Sequence, residues 1–229
     1  MPTREKPGDA VALPLLHNCG MHVVLLGDSI FDNGAYTAGE PDVVTHLRSM
    51  LPPGDRATLL AVDGATVSAM AAQVRRVPSD ATHLVVSVGG NDALRSYDLL
   101  SLQVKSSAQA LQVFAGRIAA FEREYRAAIE DVVRQRRPVI ICTIYNGALE
   151  PAVAAIARLG VALFNDVILR TAVDRRIDAI ELRSICCEPS DYANPIEPSG
   201  RGGRNIAAAI VRALGAGDHR DRFAQLIGA

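Results

Sequence analysis

His22-Val23-Val24-Leu25-Leu26-Gly27-Asp28-Ser29-Ile30-Phe31-Asp32-Asn33-Gly34 decides how this chain is read. Four consecutive apolar residues run straight into Gly-Asp-Ser. An apolar run this short and unbroken reads as a strand buried on both faces, as in a parallel sheet. Gly27 permits a sharp turn at its end. Ser29 then stands at the carboxyl end of a buried strand, where open α/β sheets place their ligands. An exposed hydroxyl there becomes a nucleophile if a base lies within reach.

The same pattern repeats along the chain. Short apolar runs at Ala57–Val62, His83–Val88, Pro138–Thr143 and Ile177–Leu182 read as four more strands. Between them the apolar spacing turns helical: Val43 to Met50, Val67 to Val77, and a long amphipathic helix through Leu111, Phe114, Ile118, Phe121, Tyr125, Ile129 and Val132. A helical region from about Pro151 to Arg176, interrupted near Gly160, and a last helix from about Arg204 to Leu214 complete the series. Glu122/Arg126 and Glu130/Arg134 are i,i+4 pairs on an expected solvated face. The alternation implies an α/β fold: a doubly wound, mostly parallel five-stranded sheet with helices on both faces. The polar clusters at Ser29, Gly64, Asn91, Asn146 and Glu188–Gly203 each follow a strand, so all are expected on one rim. Residues 1–20 read as an N-terminal extension, 21–215 as the folded domain and 216–229 as a C-terminal tail.

The totals exclude several function classes. The net charge of -1 on 229 residues gives no global attraction to nucleic acid or anionic membrane. Trp is absent and aromatics are 4%, so no stacking platform for single strands is present. Cys19, Cys142, Cys186 and Cys187 fit no zinc spacing and read as free thiols in a reducing compartment. Asp28, Asp32 and Asn33 lack the other oxygen ligands of a calcium loop. No metal, cofactor, signal peptide or run of about 18 apolar residues is expected, and the chain is expected to be cytoplasmic.

The ordered blocks resemble the SGNH/GDSL hydrolase family. Gly27-Asp28-Ser29, with Gly34 following, matches its first block, Gly64 its second, and Gly89-Gly90-Asn91-Asp92 its third. The resemblance spans about Met21 to Leu214 and implies a flavodoxin-like sheet. It also implies an esterase in which Ser29 attacks a small-molecule acyl ester. By the same resemblance, the Ser29 N–H, the Gly64 N–H and the Asn91 side chain form the oxyanion hole. Such donors suit the negative charge that acyl transfer develops. Tyr145 and Asn146 are expected to line the acyl pocket.

The family's fourth block, Asp-x-x-His-Pro, is where this chain departs. The segment reads Asp191-Tyr192-Ala193-Asn194-Pro195-Ile196-Glu197-Pro198-Ser199-Gly200. Matching Asp191 and Pro195 puts Asn194 in the histidine's place. Matching Pro198, Ser199 and Gly202 puts Glu197 there, with Asn194 in the aspartate's place, and keeps the spacing into the last helix. Asparagine cannot take a proton from serine at neutral pH. Glutamate can, though its ordinary pKa of about 4.3 makes it a weaker base than histidine at about 6.5, unless burial raises it. The expected dyad is therefore Ser29 and Glu197, with Asn194 holding the carboxylate. His22 and His83 fall at strand starts, His46 on the first helix, and His17 and His219 in the two ends. The competing reading is a non-catalytic small-ligand binder that kept the pocket and lost the base. A phosphate-binding reading fails because the first loop lacks the necessary glycine spacing and Lys-Ser/Thr pair.

Overall fold

The computed structural model describes residues 20–215 and 225–228. Its elements run β1 (His22–Gly27), α1 (Val43–Met50), β2 (Arg56–Leu59), α2 (Met70–Val74), β3 (His83–Ser87), α3 (Gly90–Arg95), α4 (Ser107–Val133), β4 (Val139–Cys142), α5 (Pro151–Arg175), β5 (Asp178–Ile180), α6 (Leu182–Ile185), α7 (Gly200–Gly215) and β6 (Leu226–Ile227). Short 3-10 turns at Val67–Ala69 and Ser96–Ser101 lead into α2 and follow α3.

The sheet is parallel throughout, in the order β2-β1-β3-β4-β5-β6. Strand order reverses beside β1, because β2 lies on one side of it and β3 on the other. Such a switch point opens a crevice at the strands' carboxyl ends, and Ser29 follows β1 directly into it. The sheet has six strands rather than the five expected. The sixth comes from the segment read as a tail: the Ala179 N–H donates to the Gln225 carbonyl and the Glu181 N–H to that of Ile227, each at 2.8 Å. Two residues are too few to carry a periodic signal.

Side chains alternate across each strand into two cores. Val23, Leu25, Val85, Ile140 and Ile180 pack with α1, α6 and α7. Val24, Leu26, Leu84, Val86 and Ile141 pack with α2, α4 and α5. Burial on both faces is why β1 is an uninterrupted apolar run. Asp42 caps α1 by accepting from the Thr45 N–H at 2.8 Å, and Ser106 caps α4 by accepting from that of Gln109 at 3.2 Å.

Three helices depart from the sequence reading. The helix expected over Val67–Val77 is a 3-10 turn at Val67–Ala69 followed by α2, which ends at Val74. α5 continues through Gly160 without a break. α7 begins at Gly200, not near Arg204. A glycine-rich stretch reads as loop because glycine disfavours helix. Here tertiary contact decides: a Cβ on Gly202 would overlap the Asp191 carbonyl, so the first turn needs glycine.

α4 and α5 lie side by side and point the same way. Glu122 pairs with Arg170 at 2.7 Å, Arg126 with Asp174 at 2.8 Å and Glu130 with Arg175 at 2.8 Å. Phe121 and Phe164 meet with ring centroids 4.7 Å apart. The i,i+4 pairs are also present, so the solvated face doubles as an inter-helix clamp. Contrary to the sequence reading, α5 is long and apolar enough to cross a membrane by length and composition alone. Interruption by Arg158, Asn165 and Asp166 hid it from a search for unbroken runs. Its second half is core, with Phe164, Val167 and Ile168 buried.

Candidate active site

The turn after β1 is built around Gly27. Its φ is +133°, and a Cβ there would collide with the Ser87 carbonyl of β3. Buried Gln73 of α2 clamps the same residue: its Oε1 accepts from the Gly27 N–H at 2.7 Å and its Nε2 donates to the Gly27 carbonyl at 2.8 Å. The strand end is thus fixed before the turn begins. In the turn, the Ile30 N–H goes to Asp28 Oδ1, and those of Phe31 and Asp32 to the Asp28 carbonyl. The Ser29 N–H takes no part in this network.

Ser29 Oγ donates to Glu197 Oε1 at 3.1 Å across 168 residues of sequence. Both side chains are buried. Glu197 Oε2 has no hydrogen-bond partner among the described residues. Desolvation by burial pushes the Glu197 carboxyl above the ordinary carboxylate range. The Ser29 hydrogen bond opposes that shift, and the charge of Asp63 adds to it.

The loop carrying Glu197 is tied at several points. Asn194 Oδ1 accepts from the N–H groups of Ile196 and Glu197 at 3.0 and 2.9 Å. Asn194 therefore orders the backbone beneath Glu197 and does not hold its carboxylate as expected; an Asx turn engages its oxygen. The Ala193 N–H returns to the Glu197 carbonyl, and the Tyr145 hydroxyl donates to the Ile196 carbonyl at 2.5 Å. Asn33, fully buried, donates to the Pro198 carbonyl at 3.1 Å and accepts from the Val43 N–H at 3.0 Å. It couples the first loop to the last. Asp191 accepts from the Cys187 and Glu188 N–H groups and from Asn205 Nδ2. Its work is holding the loop's base rather than orienting a catalytic group.

The second and third loops meet each other and the first. Asn91 Nδ2 donates to the Ala65 carbonyl at 2.9 Å, and Asp92 Oδ2 accepts from the Val67 N–H at 3.1 Å. Val62 N–H reaches the Gly27 carbonyl, and Asp28 N–H the Ser87 carbonyl. Gly64 is exposed at φ +75°, in a turn closed by the Ala65 N–H on the Val62 carbonyl. The amide of Asn91 retains a second N–H beyond the one given to Ala65.

Asp28 is the most perturbed carboxyl of the site. Its Oδ2 is buried without a partner among the described residues. Burial first, and then the charges of Glu197 and Asp92, raise its pKa to about 8, although the Ile30 N–H pulls the other way. A folded pKa above the unfolded one means a contribution to stability that is complete below the unfolded value. It is lost as pH rises toward about 8. Asp28→Asn is accordingly expected to raise Tm relative to the natural chain at pH 8, with the gain shrinking toward pH 4. Thermal unfolding followed by circular dichroism checks this.

Among the described histidines none joins Ser29. His22 contacts Asp80 and Thr58 at the strands' amino ends, His83 starts β3, and His46 lies on α1. His17 and His219 lie outside the described residues. No group of three or more potential metal ligands occurs among the described residues.

A pocket of about 210 Å³ opens beside the pair, lined by Tyr145, Asn146, Gly90 and Ile196 with apolar side chains of α3, α4 and α5. Neither Ser29 nor Glu197 lines it; its wall reaches the site through Ile196, next to Glu197 in the chain, and through Gly90, where a Cβ would stand 3.6 Å from Asp28 Oδ2. A larger cavity of about 880 Å³ lies at the amino ends of β3, β4 and β5, on the opposite rim.

Sequence reasoning missed three positioning amides: Gln73, Asn33 and Asn165. Asn165 clamps the exit of β4 as Gln73 clamps that of β1, with Ile144 N–H and carbonyl each at 2.7 Å. A lone amide inside a helix is the signal that Gln73 and Asn165 leave, whereas Asn33 lies in the polar loop after β1.

Residues 25–204 match the GDSL-like lipase/acylhydrolase family. No curated protein matches the chain. Among solved structures, an extracellular lipase from Streptomyces rimosus is 16% identical, with a TM-score of 0.61 over 85% of this chain and 99% of its own. A phospholipase A1 from Streptomyces albidoflavus NA297 is 14% identical, at 0.66 over 85% and 99%. The acetylxylan esterase Axe2 of Geobacillus stearothermophilus is 19% identical, at 0.62 over 89% and 99%. At these identities the likeness establishes the fold.

Proposed function

This chain belongs to the GDSL-like lipase/acylhydrolase family, and from that premise we propose that it hydrolyses an acyl ester with Ser29 as nucleophile and Glu197 as general base. The observation that carries the reading is the 3.1 Å hydrogen bond from Ser29 Oγ to a buried carboxylate. In the first step the Ser29 proton passes to Glu197 while Oγ bonds to the acyl carbon. The carbonyl oxygen becomes an oxyanion, met by the Ser29 N–H, the Gly64 N–H and the second Asn91 N–H. Glu197 then gives its proton to the departing alcohol oxygen, leaving an acyl-serine. Water repeats the sequence: Glu197 takes its proton, the acid leaves, and Ser29 recovers its hydrogen. The raised pKa brings the carboxylate nearer the basicity that proton transfer requires.

A fluorophosphonate probe tests the nucleophile directly. The natural chain is expected to be labelled at Ser29, and Ser29→Ala to remain unlabelled and inactive on a short-chain ester. Absence of labelling in the natural chain, with tight binding of a small ligand, would replace the hydrolase by a binding module.

A further inference from the structure

A 27-residue helix spans about 40 Å, whereas strands of four to six residues span about 13–20 Å. α4 and α5 therefore outrun the sheet. Both follow parallel strands and return antiparallel to them, so their amino-terminal halves overhang the rim that carries Ser29. This overhang is apolar, and no described element covers it. From Pro151 to Leu163 no residue of α5 is buried, and Arg158 is its sole charge. Between Leu99 and Gly116 the sole charge is Lys105. Leu111 is 67% exposed and Leu159 73%.

The pocket beside Ser29 opens into this surface. Leu94, Tyr97, Leu100 and Ile156 line the pocket and are themselves exposed. Contiguous apolar surface of this kind marks an interaction site. The charges around it favour one occupant. Arg95, Lys105 and Arg158 are exposed and take part in no ion pair among the described residues. On the acidic side, Asp98 is held by Arg117 at 3.0 Å and Asp92 accepts from the Val67 N–H at 3.1 Å, which leaves Glu150. An apolar face with a basic fringe suits a lipid–water interface. A second copy of the chain seated here would close the pocket's mouth, whereas a lipid layer would supply it.

We propose that the overhanging halves of α4 and α5, with the turn Ser96–Ser101, dock on a lipid surface and deliver a single acyl chain to the pocket beside Ser29. The identity of the pocket's guest rests on the esterase reading; the docking does not. The test uses the full chain carrying Ser29→Ala, so that vesicles are not consumed, in co-sedimentation with phosphatidylcholine vesicles. Binding is expected, and adding Leu111→Glu and Leu159→Glu is expected to weaken it by about tenfold or more. With Ser29 intact, the same two substitutions are expected to leave turnover of a soluble short-chain ester unchanged, since neither residue lines the pocket. Failure to bind vesicles, or binding indifferent to the two glutamates, overturns the proposal. So does a dimer in sedimentation velocity that the two glutamates convert to monomer. Vesicle binding without any ester hydrolysis by the natural chain supports the docking and removes the esterase reading.

Discussion

Glu197→Gln is expected to lower kcat on a short-chain ester by about 10²–10⁴-fold. The substitution keeps the volume and one oxygen of the side chain, so packing in the Tyr192–Pro198 loop is preserved. It removes the ability to accept the Ser29 proton. The same carboxylate predicts a pH profile. Activity requires the ionised form, so it falls as pH drops through the Glu197 pKa. That limb lies above the ordinary carboxylate value of 4.5, because burial raises it more than the Ser29 hydrogen bond lowers it. In Glu197→Gln the limb disappears from the residual rate. Full turnover in this variant, or a limb that persists unchanged, would eliminate the dyad. Measuring kcat and kcat/KM across pH for both proteins separates loss of the base from loss of binding.

The reach of sequence reasoning follows from what kind of contact each residue makes. β1 and Ser29 were legible because burial on both faces forces an apolar run and a glycine must end it. The convergence of loops was legible from topology alone, since parallel strands point their carboxyl ends to one rim. Glu197 emerged only through its register with a family motif; nothing local distinguishes it from a surface residue in a proline-rich loop. Asn194 shows the limit. Its position suggested a contact with the carboxylate, but its oxygen caps the Ile196 and Glu197 N–H groups two and three residues on. An Asx turn is local, and it outcompetes the more distant carboxylate for this side chain. Gln73 and Asn33 act across 46 and 165 residues, so their partners have no trace in neighbouring sequence. The start of α7 was hidden because glycine's low helix propensity was overruled by the nearby Asp191 carbonyl.

Gly27→Ala and Gly64→Ala are expected to fail in opposite ways. Both glycines have positive φ, at +133° and +75°, but their surroundings differ. A methyl on Gly27 meets the Ser87 carbonyl and amide of the neighbouring strand, and neither can move without breaking the β1–β3 pairing. The Gln73 clamp and the Asp28 N–H bond to the Ser87 carbonyl would be displaced with it. Backbone strain and overpacking together are expected to cost about 3 kcal/mol or more. That lowers Tm on the order of 10 °C for a chain this size. A methyl on Gly64 meets nothing of the protein within 4 Å, so only the conformational penalty remains, about 1–2 kcal/mol. If the Gly64 N–H meets the oxyanion, that methyl stands at the substrate's approach, and turnover should drop more than about tenfold while the fold holds. Denaturant unfolding and ester kinetics on the two variants read these effects independently. Unchanged turnover in folded Gly64→Ala would remove Gly64 from the oxyanion site, and a stable Gly27→Ala would mean that the strand end can yield where the hydrogen bonds indicate it cannot.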